Sequence, residues 1–469
     1  MSVLSRIVAD KRADVALRKA RAPLASFRGD LAPSDRSLES VLRGPRTGFI
    51  LECKRASPSE GVIRADYDPV AIARAYAPVA DAISVLCDTP YFGGDLAHLS
   101  AVRAAASCPV LCKDFVVDPY QVYEARRYGA DAVLLMASVL APAELASCLA
   151  VARELSVDAL VEVHDGDELD VALELDAPVV GINNRDLQTL AIDLDTTRRL
   201  APRVPAERVV VGESGLSDHD DVRALRAHCD AFLVGSALMR ASDISAATRS
   251  LVYGRTKVCG LTRVHDARAA KEAGATHGGV VLWPSSPRAM TVATSRALVA
   301  ERGLQWVGVF VDATPKAMVD AADALGLAAV QLHGEEGPEV VAAVKAMRPE
   351  LEVWRAVRVR EGEPLPTAAH VGADRLLLDA FIPGTRGGTG HQFDWARAAS
   401  HPECASLVLS GGIDPSSAAR ADAVGTWALD ASSGLETAPG RKDHHALRAF
   451  LEARRTPPNH PRGDHQRDE

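Results

Sequence analysis

The chain has 469 residues, 47% hydrophobic and 25% charged, with 53 Lys+Arg against 62 Asp+Glu and a formal net charge of −9. That length suits two large α/β units, whose cores need no disulfide or metal staple, and the acidic balance argues against a general nucleic-acid binder. No uninterrupted apolar run reaches the roughly 18 residues of a membrane span, and the charged N-terminus lacks the apolar centre of a signal peptide, so a soluble cytoplasmic protein is expected.

Short β-branched runs then recur between Ala-rich helical stretches. In chain order they are GFILECK (48–54), AISVLCD (82–88), PVLCKDF (109–115), DAVLLMA (131–137), DALVEV (158–163), VVGINN (179–184), RVVVGES (208–214) and AFLVGS (231–236). Helical segments such as 119–128 and 142–155 separate them. Near-continuous apolar strands alternating with helices predict a parallel sheet covered by helices, and eight such units predict a closed (β/α)8 TIM barrel. The count restarts at 256–261 and continues through 277–283, 304–311, 328–334, 352–359, 374–380, 406–413 and 426–434. The expectation is an α/β protein of two tandem barrels, 1–254 and 255–454, with a polar, Pro-rich tail at 455–469 that is disordered. The eight cysteines form no CxxC pair and read as small buried hydrophobes, with Cys259 set apart below.

In this fold the C-terminal ends of the strands carry the chemistry. Side chains alternate along a strand, so Glu52 and Lys54 face the mouth of the first barrel while Cys53 faces the helices. Lys113, Glu162, Asn183 with Arg185, and Glu213 with Ser214 end later strands, so two lysines and three glutamates converge on one rim. Such groups shift one another's pKa values as acid–base chemistry requires; the competing reading is an ion-pair network that merely closes the barrel. Gly215 and Gly235-Ser236 follow the last two strands, where this fold usually binds phosphate.

LECKRASPSEGVIR, LCKDFVVDPYQ, GINNRDL and ESGL closely resemble indole-3-glycerol phosphate synthases over 1–254. The resemblance implies ring closure, decarboxylation and dehydration of carboxyphenylamino-deoxyribulose phosphate. It assigns Lys113 as the general acid on the substrate carbonyl and Glu162 to the later proton transfer and dehydration. It also gives Lys54 the substrate carboxylate and a share in the acid role, with Glu52 positioning it. Asn183, Arg185, Glu213 and Ser214 line the pocket, and Ser57, Gly215, Gly235 and Ser236 lie on its phosphate side.

The second rim presents Cys259 after the first strand and Asp379 at the end of the sixth, a pair able to act as base and acid across a small substrate. A thiol in that role needs its thiolate favoured by a cation or backbone amides. Glycine-rich turns at Gly388 and Gly390, Gly411-Gly412 and the Ser432-Ser433 stretch form an anion cradle without a dinucleotide fingerprint. The runs KVCGLT, SPR, VQLHG, LLLDA, GGTGHQFDW and DASSGLE resemble phosphoribosylanthranilate isomerases over 255–454. The resemblance implies an Amadori rearrangement with Asp379 as general acid, Cys259 as general base, Arg288 on the anthranilate carboxylate and the glycine-rich turns on phosphate. His333 lines the pocket or is a satisfied structural histidine. The pair His444-His445 reads as helix surface without partners for a metal.

The product of the second reaction is the substrate of the first, so the joined reading is a bifunctional enzyme of tryptophan biosynthesis. Small phosphorylated molecules are its expected partners, with no cofactor, metal, nucleic acid or membrane, and a monomer is expected. Two alternatives stand beside it: one barrel catalytically silent and serving as a folding or binding partner, or a different phosphosugar isomerase in the second barrel. The related histidine-pathway barrel has Asp in place of Cys259, which favours the anthranilate substrate.

Overall fold

The structure, a computed structural model, describes residues 3–187, 189–381 and 391–456. Eight parallel strands close the first barrel: β1 (Gly48–Cys53), β2 (Ala82–Leu86), β3 (Val110–Lys113), β4 (Ala132–Met136), β5 (Asp158–Val163), β6 (Val179–Asn183), β7 (Val209–Glu213) and β8 (Ala231–Val234). Closure comes from β8 pairing back on β1, with Leu51 opposite Val234. A second closed barrel follows: β9 (Arg255–Val258), β10 (His277–Val281), β11 (Gln305–Phe310), β12 (Ala329–Leu332), β13 (Glu352–Val359), β14 (Arg375–Ala380), β15 (Val408–Leu409) and β16 (Ala428–Ala431). The expected architecture of two tandem barrels is the one observed. Strand β15 is much shorter than its apolar run because Gly411 and Gly412 follow with φ of 87° and 63°, which ends the extended backbone. Among the described residues no helix is long and apolar enough to cross a membrane.

The first barrel is filled by inward apolar side chains, among them Ile50, Leu111, Leu134, Leu160, Val211 and Leu233. Its base is plugged by the short helix Leu38–Leu42, which buries both terminal leucines and is capped by Ser37 accepting from the Ser40 amide. Asp68, Asp165 and Asp218 cap the helices that follow β1, β5 and β7, each side chain accepting from amides of the first helical turn. An N-terminal helix, Val3–Arg21, lies across the barrel and buries Ile7, Lys11 and Val15. The Lys11 ammonium sits 2.8 Å from Asp88 and 2.7 Å from Asp114, at the ends of β2 and β3.

Lys11→Met leaves two buried carboxylates without this cation, and the expected cost is about 3–5 kcal/mol. All five tryptophans lie between 283 and 427, in the second barrel. The loss is therefore expected in the far-UV dichroism transition under urea, while the tryptophan-fluorescence transition stays where it was.

The second barrel packs Val307, Trp354, Leu377, Val408 and Ala428 at its centre. Trp354, Trp427 and His277 pack edge-on or tilted against one another at the N-terminal ends of the strands, with ring centroids 5.6–5.8 Å apart. Burial pushes His277 down to about 3, so it stays neutral there as a packing group. The two compact units divide between Thr248 and Arg249, inside the helix Ile244–Tyr253 rather than after it. Arg249 donates to Ala275 O at 3.2 Å and the Tyr253 hydroxyl to Glu452 at 3.1 Å, which ties the end of that helix to the second unit. Arg455, assigned to the tail from the sequence, is buried and follows directly on the helix His444–Arg454. Residues 457–469 lie outside the described residues.

Candidate active sites

The mouth of the first barrel opens on a cavity of about 460 Å³. Its lining includes Glu52, Lys54, Ser57, Lys113, Glu162, Asn183, Arg185, Glu213, Ser214, Gly215, Gly235 and Ser236, so every residue singled out on this rim reaches one space. Lys113 Nζ stands 2.6 Å from Glu213 Oε2 and 3.5 Å from Glu162 Oε2, while Lys54 Nζ stands 2.9 Å from Glu52 Oε1. Glycines make this crowding possible: a β-carbon at Gly181 would collide with the Glu213 carboxylate, and one at Gly235 with that of Glu52. Gly235 thus makes room for a carboxylate, whatever else it does for a ligand.

Two ammoniums stand among three carboxylates, Lys54 on Glu52 and Lys113 between Glu213 and Glu162, and that imbalance sets the protonation states. Burial opposes the charge on Lys113, yet Glu213, Glu162 and Glu52 together hold its pKa well above the usual lysine range. Glu213 is pushed up to about 7, because burial, with Glu162 and Glu52 repelling, outweighs the attraction of Lys113. Its Oε1 is buried without a hydrogen-bond partner among the described residues, as suits a carboxyl that takes a proton readily. Burial also acts to raise Glu162, but Lys113 and His164 hold it down at about 2. The site therefore keeps a charged ammonium, an ionised carboxylate and a carboxyl that titrates near neutral pH within a few ångströms.

The ends of β6 and β7 are locked together by Asn184, whose side chain donates to Glu213 O at 3.1 Å and Ser214 O at 3.2 Å. Ser214 (φ 63°) and Gly215 (φ 79°) are both left-handed, as are Gly411 and Gly412 at the same point of the second barrel. A serine held in that conformation is strained, and such strain collects at ligand sites. The apolar wall of the cavity, formed by Leu4, Ile7, Phe92, Phe115, Leu187 and Ile192, was not among the residues the sequence pointed to. Phe115 follows Lys113-Asp114 directly and could have been suspected; Leu4 and Ile7 come from the N-terminal helix and carried no local signal.

In the second barrel Cys259 follows β9, and its side chain and that of Lys257 both pack over Gly279, where a β-carbon would stand 2.9 Å from the Cys259 sulfur and 3.0 Å from Lys257 Cε. Lys257 is fully buried, with its ammonium 2.9 Å from Asp430 Oδ1. Burial pushes the Cys259 thiol up; Lys257 and Lys442 pull it back, while Asp430 adds to the rise. A cation stands beside the thiol, and it compensates burial only in part. The period of two that pairs Glu52 with Lys54 also pairs Lys257 with Cys259, so this partner was legible.

Arg288 forks onto Glu436, with Nη2 at 2.7 Å and Nε at 3.0 and 3.1 Å. Lys442 Nζ joins the same carboxylate at 2.8 Å. Asp379, on β14, lies 3.5 Å from His333 Nε2, and His333 Nδ1 lies 2.9 Å from Gln331 Nε2. His333 therefore sits beside the acid, oriented by its neighbour on the same strand. A β-carbon at Gly411 would press on the Asp379 carboxylate at 3.1 Å, so the β15 turn closes over that acid. The Ser432 hydroxyl donates to Cys259 O at 3.1 Å, which commits it to the backbone beside the thiol. Ser433 opens the short 3-10 turn that follows. Gly388 and Gly390 lie outside the described residues.

The expectation for His444 needs correction. Its Nε2 lies 2.8 Å from Asp266 Oδ1, with His265 Nε2 3.4 Å from the same oxygen. Helix packing brings Asp266, 178 residues away in the chain, beside it. Arg263 forks onto the same carboxylate at 2.8 and 3.1 Å, so Asp266 has a cation of the chain itself as its partner.

A family model described as indole-3-glycerol phosphate synthase matches residues 4–251, and one described as N-(5'-phosphoribosyl)anthranilate isomerase matches residues 256–453. The tryptophan biosynthesis protein TrpCF of Salmonella typhi is 44% identical, the alignment covering 97% of this chain and 99% of that relative. The proteins of the same name from Vibrio cholerae (44% identity, 96% and 95% covered) and Corynebacterium glutamicum (43% identity, 95% and 96% covered) are similarly related. The chain belongs to the family of bifunctional tryptophan biosynthesis proteins, in which an indole-3-glycerol phosphate synthase barrel is followed by a phosphoribosylanthranilate isomerase barrel.

Proposed function

We propose that the two rims work on one substrate in succession, with the residue roles as follows. In the second barrel Asp379 protonates the ribose ring oxygen of phosphoribosylanthranilate, and the ring opens to a Schiff base. Cys259, as thiolate, removes the C2′ proton, and the enolamine relaxes to the ketone of carboxyphenylamino-deoxyribulose phosphate. Arg288 exchanges Glu436 for the anthranilate carboxylate, since a planar guanidinium accepts either in the same bidentate fashion.

In the first barrel the aromatic carbon attacks that ketone. Lys113 protonates the carbonyl oxygen as the new bond forms, carbon dioxide leaves with its bonding pair returned to the ring, and Glu162 handles the proton in the final loss of water. Lys54 faces the departing carboxylate, held by Glu52, and the apolar wall suits the anthranilate ring. The observation that carries this reading is the single Lys113 ammonium held between Glu162 and Glu213 at the floor of an apolar cavity. Following loss of phosphoribosylanthranilate fluorescence and appearance of indole product separately on the purified chain tests it. A missing signal from either barrel means that barrel is a silent partner and overturns half of the reading.

Arg288→Ala is expected to raise KM of the isomerase by about 10–100-fold, the worth of a charge-assisted pair of about 1.5–3 kcal/mol, with a smaller change in kcat. Steady-state kinetics at fixed pH checks it; an unchanged KM removes Arg288 from substrate binding.

A further inference from the structure

His164, largely buried, touches the synthase machinery at Glu162 and has no use in the roles above. It stands just past β5, two residues beyond Glu162, and is absent from the lining of the cavity. Glu168, on the following helix Gly166–Glu174, holds it twice through one oxygen: Oε2 accepts the His164 backbone N–H at 2.8 Å and lies 3.0 Å from Nδ1. That grip fixes the ring from root to Nδ1 and turns Nε2 toward Glu162 Oε1, 3.4 Å away. At that length the contact is a charge pair rather than a formed hydrogen bond. The other oxygen of Glu162 faces Lys113. Glu168, His164, Glu162, Lys113 and Glu213 therefore form a row of alternating charge that runs from the outside of the barrel to the cavity floor.

We propose that His164, clamped as an imidazolium by Glu168, is a positioning residue of the synthase that holds Glu162 ionised and oriented from behind the cavity. The inference rests on the reading of Glu162 as the proton-transfer group. The groups facing this pair are Glu168 from the helix, Lys113 from β3, Asn183 from β6 and Glu213 from β7. Lys54 is taken up by Glu52 and the shorter contact of Lys113 is to Glu213, so His164 is the further cation beside Glu162. Burial opposes the charge on His164, but Glu162 and Glu168 raise it to about 10, which keeps the ring charged throughout the neutral range.

The sign follows directly. A cation beside a carboxylate lowers its pKa, so removing His164 raises that of Glu162, and activity that needs the carboxylate is lost at a higher pH as the medium is acidified. The experiment measures kcat and KM of the full chain against pH, with carboxyphenylamino-deoxyribulose phosphate supplied directly. Wild type is compared with His164→Gln, Glu168→Gln and Glu162→Gln. The substrate phosphate titrates identically in all four, so differences belong to the protein. In His164→Gln the acid limb of kcat is expected to move up by about one unit or more, with kcat lower on the order of tenfold and KM within twofold. Glu168→Gln should shift the limb the same way through loss of the proton on His164, and it reaches the question from the exposed side if His164→Gln fails to fold. An unmoved acid limb in the folded variants overturns the proposal, as does a parallel change in kcat and KM without any shift. If Glu162→Gln is inactive while the His164 and Glu168 variants are silent, only this inference falls. A fully active Glu162→Gln removes the role of Glu162 and the inference with it.

Discussion

Replacing Lys113 with alanine is expected to lower turnover of the synthase reaction by about 10²–10⁴-fold and to leave the isomerase reaction unchanged. The Lys113 ammonium sits 2.6 Å from Glu213 and 3.5 Å from Glu162, and no other ammonium lies within ion-pair reach of those two carboxylates among the described residues. Without it Glu213, already pushed up to about 7, takes a proton and stays neutral, so the barrel avoids facing two buried charges and remains folded. Each barrel has its own core, and the second is untouched by the change. Appearance of the indole product from directly supplied carboxyphenylamino-deoxyribulose phosphate measures the effect. Activity within tenfold of wild type would remove Lys113 from the acid role and pass it to Lys54.

Cys259→Ala is expected to do the reverse, lowering isomerase turnover by a similar factor while indole product still forms from the supplied intermediate. The deletion is small and lies at the open end of β9, so folding is expected to survive it. Asp379→Asn, which keeps the shape and removes the acid, should give a loss of the same order. The thiol also predicts a pH dependence. Burial holds its pKa above the ordinary value despite Lys257 and Lys442, so the reactive thiolate is a minority species at neutrality. Isomerase kcat/KM is therefore expected to climb with pH up to that raised pKa. A profile that is flat from neutrality upward would mean that another group is the base.

Much of this molecule was readable from local pattern. Strands buried on both faces announce themselves as apolar runs, and the count of eight, twice, is enough to name closed barrels. Period-two alternation puts Glu52 and Lys54 on one face, and the polar ends of β3, β5, β6 and β7 supply the rest of the synthase rim. The same logic, applied to Lys257 and Cys259, reaches the cation beside the thiol.

What the sequence by itself determined is thus which residues sit at the mouths, because strand period and strand ends are properties of neighbouring residues. Which charge meets which was decided only by closing the chain. Lys11 finds Asp114 across 103 residues, Lys113 finds Glu213 across 100, and Arg288 finds Glu436 across 148. The N-terminal helix, charged and unremarkable as a string, becomes both a buried counter-ion and a wall of the cavity. His164 carries no signal in the sequence and is turned toward Glu162 only by the way Glu168 holds its ring. Ion pairing and burial depend on distance through space and on access to water, and neither quantity exists until the strands have closed.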